Sequence, residues 1–183
     1  TRLLRSVSPW VDHMLVLDTG SIDDTPALAA ACGAQVAHAV WTNDFSAARN
    51  TALDLAPADW HLVLDADEWL IAGGEAVLAL RHTPPGFVGA VHFCDQFFDG
   101  QLRTEHSWMS RVFPGQLRYS GRIHESVVHN LPTHRLDVQI GHDGYLPDLL
   151  QAKHGRNRAL LQAALEADPS DAYLWYQLGK DYS

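Results

Sequence analysis

Two aspartates close an apolar run near the middle of the chain. Asp65 and Asp67 follow residues 60–64 and stand two positions apart. If residues 60–64 form a buried strand, both carboxylates leave its C-terminal end on the same side, where open α/β sheets place their ligands. Paired carboxylates suit Mg²⁺ or Mn²⁺, which commonly bridge protein oxygens to a substrate diphosphate. This spacing also occurs on many solvated turns, so the neighbouring residues must decide between the two interpretations.

Composition limits the partners of such a site. The 183 residues suffice for one domain with a small appendage, and 46 % of them are hydrophobic. Thirteen basic against 22 acidic residues give a formal net charge of −9, which argues against a general binder of nucleic acid or anionic membrane. An acidic substrate must therefore be met locally, by a metal ion or a few arginines.

The cysteines and the absence of long apolar runs bear on the compartment. Cys32 and Cys94 lie far apart, without the paired spacing of a zinc site or a disulfide framework. No apolar run approaches the roughly 20 residues of a membrane span, and no signal peptide opens the sequence. We predict a cytoplasmic protein, with peripheral membrane association as the alternative.

Strand and helix patterns alternate before the two aspartates. They predict strands at 14–17, 35–40 and 60–64, and helices at 25–32 and 45–55. This β-α-β-α-β order predicts a parallel sheet with helices on its faces. The loops that follow the strands at Asp18 and Asp65 should then lie side by side.

The second half of the sequence is less regular. Its patterns predict a helix at 74–81, strands at 87–94, 107–113 and 137–142, and one or two helices from 147 onward. Trp175, Leu178, Gly179 and Tyr182 match the spacing of a tetratricopeptide helix, with an ordinary amphipathic helix as the alternative.

Five sequence blocks together resemble family 2 glycosyltransferases. In the order in which the family has them, they are residues 18–25 (DTGSIDDT), 41–50 (WTNDFSAARN), 65–68 (DADE), 122–125 (RIHE) and 144–145 (GY). The likeness covers residues 11–182 and is to a bacterial branch in which tetratricopeptide repeats often follow the catalytic domain. It implies an α/β GT-A fold, with a mixed, mainly parallel sheet flanked by helices in residues 1–146. Residues 147–183 would form a helical extension.

The resemblance also implies an activity. A family member transfers a sugar from a nucleotide-diphosphate donor, usually a uridine diphosphate sugar, with inversion and with a divalent cation at the D-x-D site. The acceptor, whether a saccharide, a lipid-linked saccharide or a peptide, stays open, and nucleic acid is not expected. A metal-dependent nucleotidyltransferase is one alternative, although no glycine-rich phosphate loop is present. A noncatalytic helical interaction module is the other.

Three residues are candidates for holding Mn²⁺ or Mg²⁺. Breaking a sugar–diphosphate bond builds negative charge on the leaving phosphate, which a bound cation stabilises. We expect Asp67 to bind the metal directly, and Asp65 to reach it through water or to bind the ribose of the donor. His142, after an apolar strand, would be a third ligand, and its imidazole suits Mn²⁺ better than Mg²⁺. An ordinary loop histidine is the alternative.

Further residues are predicted to bind the donor. By resemblance Asp18 contacts the nucleoside, although it could instead cap a turn. Arg49 has the planar fork that binds phosphate oxygens in pairs. Asp44 would orient Arg49 or bind the nucleotide, or only cap the helix. For Arg111, an exposed position on a strand is favoured over a phosphate or acceptor contact.

An inverting transfer needs a general base for the proton of the acceptor. Glu125 is the candidate, with His124 beside it to orient the acceptor or tune the carboxylate. Glu68 and Asp95 are rivals for the base. A structural salt bridge between Glu125 and Arg122 is the alternative interpretation.

The start of the sequence departs from the family pattern. Members normally begin with a short strand and then a helix that leads into the equivalent of residues 11–17. Residues 1–7 already resemble the end of that helix, so we expect the first strand to be missing and the sequence to be an excerpt whose own activity does not follow. An exposed sheet edge, or the C-terminal helices, would then offer a surface to a second copy or another protein.

Overall fold

The computed structural model describes residues 1–98, 100–145 and 147–182, with residues 145 and 147–155 described in backbone only. The side chain of Tyr145, which belongs to one of the five blocks, therefore lies outside the described residues. The elements, in chain order, are α1 Arg2–Val7, β1 Leu15–Asp18, α2 Thr25–Ala31, β2 Gln35–His38, α3 Phe45–Leu55, β3 Trp60–Leu62, β4 Glu68–Ala72, α4 Gly74–Ala79, the 3₁₀ turn Leu80–His82, β5 Val88–Phe98, β6 Leu102–Pro114, β7 Tyr119–Ser120, β8 Ser126–Val127, β9 Thr133–Tyr145, α5 Pro147–Ala167 and α6 Ala172–Asp181.

A five-stranded mixed sheet forms the centre of the protein, in the order β3-β6-β5-β9-β4. Strand β5 pairs antiparallel with β6 and parallel with β9, so it lies in the middle of the sheet. β-branched side chains fit the pleated surface of such a sheet and supply much of its core. The core residues with no exposed surface include Val88, Val91, Val112, Val138 and Ile140.

The predicted mixed α/β sheet with flanking helices is confirmed, but it contains less parallel pairing than expected. In the described strands only β1–β2 and β5–β9 are parallel, whereas β3–β6, β4–β9, β5–β6 and β7–β8 are antiparallel. The connection between β5 and β6 is too short for the crossover that a parallel pair needs, so these strands form a hairpin.

Strands β1 and β2 form a separate two-stranded sheet. Leu4, Ala29 and Ala34 pack against it and bury one of its sides. Within the described residues β1 is not hydrogen-bonded to β3, and a cavity of about 720 Å³ lies between them, lined by residues 15–17 and 60–66 among others. We expected one exposed sheet edge. The structure has two, one on β1 and one on β3, and they face each other across this cavity.

Strand β4 is an element that the sequence did not predict. It begins at Glu68, directly after the two aspartates, and Glu68 pairs with His142 of β9. Strand β3 ends at Leu62, so Asp65 and Asp67 lie in the turn between β3 and β4, where Glu68 N–H donates to the Asp65 carbonyl at 2.9 Å. Strand β3 was predicted from its apolar run, whereas β4 was not, because it begins at a charged residue and its apolar run is short.

The C-terminal helices α5 and α6 pack on the rest of the protein. Leu160, Leu161, Leu165 and Leu178 form one apolar cluster with Ile123, and Trp41 and Phe45 border it. Asp171 caps α6 by accepting hydrogen bonds from the N–H groups of Tyr173 and Leu174. Among the described residues, no helix combines the length and the apolar character that crossing a bilayer requires.

Candidate active site

Helix α3 carries Arg49 into the site. Hydrogen bonds at Asp44 and at Asn50 fix the part of the helix that contains Arg49. Asp44 is its N-cap, because the carboxylate accepts from the N–H of Ala47 at 2.9 Å and from the hydroxyl of Ser46 at 2.8 Å. One turn later, the Asn50 side chain exchanges two hydrogen bonds with the backbone of Tyr119, at 2.8 and 3.0 Å. Arg49, between these anchors, therefore has little freedom to turn away.

Arg49 connects two carboxylates from different parts of the chain. Its Nη2 donates to Asp65 Oδ1 at 2.7 Å, and its Nε donates to Glu125 Oε1. The guanidinium also lies 5.2 Å from the centre of the Tyr119 ring. Burial alone would lower the pKa of Arg49, but Asp65 and Glu125 outweigh it and raise that pKa. Arg49 therefore remains a fixed positive charge between two predicted site residues.

Arg111 belongs to the same ionic network, and the favoured prediction of an exposed strand arginine is wrong. The residue is only 8 % exposed. Its Nη2 donates to Glu68 Oε1, and also to Asp65 Oδ2 at 3.2 Å. Because β6 has β3 on one side and β5 on the other, its C-terminal half is covered by both neighbours. Val112 and Phe113, directly after Arg111, have no exposed surface, so this end of β6 lies in the core.

The two carboxylates around Arg111 are perturbed in opposite directions. Burial raises the pKa of Glu68 to about 7, although Arg111 opposes this. Burial acts in the same direction on Asp65, but Arg49 and Arg111 outweigh it and hold the pKa of Asp65 below its ordinary value. Glu68 also accepts from the N–H of Asp65 at 2.8 Å, so it helps to shape the turn that carries both aspartates.

Asp67 and His142 lie next to each other, as the prediction of a shared metal site requires. His142 Nε2 is 3.5 Å from Asp67 Oδ2, and its Nδ1 is 2.7 Å from Asp95 Oδ1. Burial would lower the pKa of His142, but the hydrogen bonds with Asp67 and Asp95 outweigh it and raise that pKa. Asp65, the third predicted ligand, instead has an arginine at each carboxylate oxygen.

Asp18 caps the turn after β1, which was the alternative to a contact with the nucleoside. Its carboxylate accepts from the N–H groups of Gly20 and Ser21, at 3.3 and 3.2 Å, and lies 3.3 Å from Nδ1 of His38. The hydroxyl of Ser21 is the main group that lowers the pKa of Asp18. Thr19, directly after Asp18, lines the same cavity as Asp65. The loops after β1 and β3 thus line one cavity, although the two strands do not belong to one sheet as predicted.

The loop that contains His124 and Glu125 is held from two sides. On one side, the N–H of Phe45 donates to the Arg122 carbonyl at 2.9 Å. On the other, Ile123 belongs to the apolar cluster of the C-terminal helices, and the His124 ring is 6.2 Å from that of Tyr173. Burial lowers the pKa of His124. Among the described ion pairs Glu125 has Arg49 as its partner, and the alternative pairing with Arg122 is not found.

Two buried polar atoms beside this network have no hydrogen-bond partner among the described residues. They are the Tyr119 hydroxyl and Nε of Arg111. No sequence pattern selects Tyr119, because its place beside Arg49 depends on the contact between α3 and β7. Buried polar groups are nearly always satisfied, so these two atoms are exceptions among the described residues.

Fold and site together define a class of protein. The sheet is a mixed α/β sheet of the GT-A type, and the acidic turn, the arginines and the Glu125 loop meet where strands β1 and β3 end. The chain belongs to the family 2 glycosyltransferases, since the family pattern described as "Glycosyl transferase family 2" matches residues 1–139.

Two relatives show how this family domain occurs in longer proteins. A TPR repeat-containing protein of Synechococcus elongatus is 38 % identical over 97 % of the chain, which covers 47 % of that protein. The SPbeta prophage-derived glycosyltransferase SunS of Bacillus subtilis is 25 % identical over 98 % of the chain, which covers 45 % of SunS. The chain thus spans less than half the length of these relatives. The first of them agrees with the tetratricopeptide spacing in α6.

Proposed function

We propose that this chain binds a nucleotide-diphosphate sugar, with a uridine diphosphate sugar as the favoured donor, and transfers the sugar to an acceptor with inversion. The observation that carries the proposal is the Arg49 bridge, which joins Asp65 of the acidic turn to Glu125 of the opposite loop. In a family 2 glycosyltransferase, Asp65 would lie on the side of the donor and Glu125 on the side of the acceptor. The bridge brings these two carboxylates together.

The residues present suit a divalent cation. Metal-binding histidines usually direct their second ring nitrogen at a carboxylate, and His142 has this arrangement, with Nδ1 on Asp95 and Nε2 towards Asp67. Asp67 and His142 would hold the ion, and phosphate oxygens of the donor would complete its shell. A bound Mn²⁺ or Mg²⁺ supplies charge stabilisation for the leaving diphosphate. Asp65, occupied by two arginines, is better placed to accept from the ribose.

Glu125 is the best placed of the three candidate bases. Glu68 has a side chain only 3 % exposed, and both of its oxygens are occupied, Oε1 by Arg111 and Oε2 by the N–H of Asp65. Asp95 is engaged by His142 and accepts from the Ser107 hydroxyl. Glu125 has one oxygen on Arg49, which fixes the carboxylate and leaves the other oxygen to take the proton of the acceptor. His124 beside it would orient the acceptor. Asp18 and Asp44 remain candidate contacts of the nucleoside.

Calorimetric titration of UDP in the presence and absence of Mn²⁺ tests the proposal. We expect Mn²⁺ to tighten UDP binding, and Asp67→Asn to weaken the Mn²⁺-dependent part by about tenfold or more, because it removes the proposed ligand. Asp59→Asn, a change at an exposed aspartate after α3, is the matched control and should bind like the parent chain.

Two results would contradict the proposal. One is Mn²⁺-dependent UDP binding that is the same in the Asp67→Asn and Asp59→Asn variants. The other is a preference for UTP over UDP-sugars in competition, which would favour a nucleotidyltransferase.

A further inference from the structure

A cluster of metal-binding side chains lies on the hairpin of β5 and β6, outside the site described above. It consists of His92 and Cys94 on β5 and His106 on β6, and one ligand atom from each lies within 4.8 Å of the other two. Cys94 Sγ is 3.6 Å from Nδ1 of His106. The rings of His92 and His106 lie nearly parallel with their centres 5.0 Å apart, so the His92 ring must turn about its side-chain bonds to aim a nitrogen at a shared ion. In the part of the chain that is described, it is the only group of three such side chains within this distance.

Strand geometry places this cluster on one face of the sheet and Asp95 on the other. Residues in register on neighbouring strands point to the same face, and successive residues point to opposite faces. Cys94 is in register with His106 on β6 and with Gly141 on β9. The Trp69 ring covers Gly141, because a Cβ added there would overlap it. The half-buried thiol therefore lies on the same face of the sheet as the Trp69 ring, whereas Asp95 lies on the other face, where it contacts His142.

The ligand set identifies the class of ion. One thiolate and two imidazoles suit Zn²⁺, with Zn–S of about 2.3 Å and Zn–N of about 2.0–2.1 Å. In a tetrahedral site these bond lengths separate sulfur and nitrogen ligands by about 3.6 Å, which is the separation of Cys94 Sγ and His106 Nδ1. The hard oxygen ligands expected for Mg²⁺ are absent from the cluster.

We propose that His92, Cys94 and His106 bind a Zn²⁺ ion that links β5 to β6, with a fourth position open to water or another ligand. The inference does not rest on the proposed sugar transfer. Binding of the ion would also affect the site described above. A metal that holds Cys94 fixes the neighbouring Asp95, which binds His142.

Cobalt is the most direct probe of a cysteine-containing zinc site. Titration of the metal-free chain with Co²⁺ should give a near-ultraviolet sulfur-to-cobalt band that saturates at one equivalent and disappears when Zn²⁺ is added. Cys94→Ser and His106→Ala should each lose the band. Cys32→Ser is the matched control, since Cys32 lies outside the cluster, and it should keep the band.

Thermal unfolding provides a second readout and separates the two metal sites. Zn²⁺ at about 100 times its dissociation constant should raise the unfolding temperature of the parent chain by about 5 to 10 °C. Asp67→Asn should keep both this shift and the cobalt band, so failure of the sugar-transfer proposal would leave the zinc proposal unaffected. The zinc proposal is overturned if no sulfur band forms, or if the band and the shift persist in Cys94→Ser.

Discussion

Arg49 and Arg111 form a row of alternating charge with three carboxylates, and the row is most deeply buried at Arg111 and Glu68. The order is Glu125, Arg49, Asp65, Arg111 and Glu68, and each guanidinium lies between two carboxylates. Such desolvated pairs contribute little net stability when both partners are present, but removal of one partner leaves a buried charge uncompensated. The row therefore fixes the positions of Asp65 and Glu125 relative to each other, and its members should be sensitive to single substitutions.

Glu125→Gln tests the role of this carboxylate as the base. An amide keeps the size of the side chain but cannot accept a proton, so we expect UDP release from a UDP-sugar, with water as the acceptor, to fall by about 10²- to 10⁴-fold. Calorimetry should find UDP binding unchanged. The control is Glu105→Gln, at an exposed position on β6. Full activity of Glu125→Gln, together with an inactive Asp95→Asn, would assign the base to Asp95.

Arg111→Met should unfold at a lower urea concentration than the parent chain. The substitution leaves Glu68 buried without its arginine, and breaking a buried pair in this way costs about 3 to 5 kcal/mol of unfolding free energy. Arg5→Met, at an exposed position of α1, is the matched control and should stay within about 0.5 kcal/mol. Equal urea midpoints for the two variants would mean that Arg111 is not part of a buried network.

The sequence identifies the residues that lie in short motifs better than those that the sheet supplies. Asp65, Asp67, Arg49 and Glu125 stand in blocks with a recognisable order, and the structure brings Arg49, Asp65 and Glu125 into direct contact. Arg111 could not be selected, because an arginine on an edge strand would be exposed. Its burial depends on β3 and β5 lying on either side of β6, which strand patterns do not specify.

Among the elements, the helices were easier to predict than the strands. Helix α3 has the predicted bounds, since Asp44 supplies a cap and Pro57 follows its end. Strands β5, β6 and β9 extend beyond the predicted runs, because their outer parts carry polar and exposed residues. Partner strands stabilise those parts through backbone hydrogen bonds, and a search for apolar patterns does not detect such partners.

The start of helix α4 depends on a glycine. Gly73 has φ of +86° and is the residue before the helix, and a Cβ added there would overlap the Asp137 carbonyl oxygen of β9. We expect Gly73→Ala to lower the urea midpoint clearly, since it combines backbone strain of about 1 to 2 kcal/mol with a steric clash.

A matched glycine separates these two effects. Gly33 has nearly the same φ, +85°, and no atom within 4 Å of an added Cβ. Gly33→Ala should therefore lose only the backbone contribution. Equal losses in the two variants would show that the contact with β9 adds nothing.

At the scale of the whole molecule, the C-terminal helices support the loop that carries Glu125. Leu161 is 1 % exposed and belongs to the same apolar cluster as Ile123. Leu161→Ala should cost about 2 to 5 kcal/mol in urea unfolding and should also reduce UDP release, because the loop loses part of its packing. Leu55→Ala, at a leucine that is 45 % exposed, should change both quantities little. A less stable but fully active Leu161→Ala would show that the loop does not need the helices.

The general architecture followed from the sequence, whereas the way in which its two sheets meet did not. The alternation of strands and helices predicted an α/β fold, and the motif order predicted its type. Asp18 and Asp65 were expected in neighbouring loops of one continuous sheet. The structure instead has a cavity between β1 and β3. This was not predicted, because the residues of a strand do not indicate which strand pairs with it.

Among the described residues, β1 and β2 share no backbone hydrogen bond with the five-stranded sheet. A two-stranded sheet is marginally stable alone, so this one depends on side chains such as Leu4 of α1 and Ala29 of α2, which pack against it. We expect it to open in subglobal fluctuations that leave β5, β6 and β9 closed, so its amides should exchange with solvent faster. A nucleotide bound at Asp18 would slow this exchange. The exchange rates of the β1 and β2 amides would therefore report whether the donor is bound.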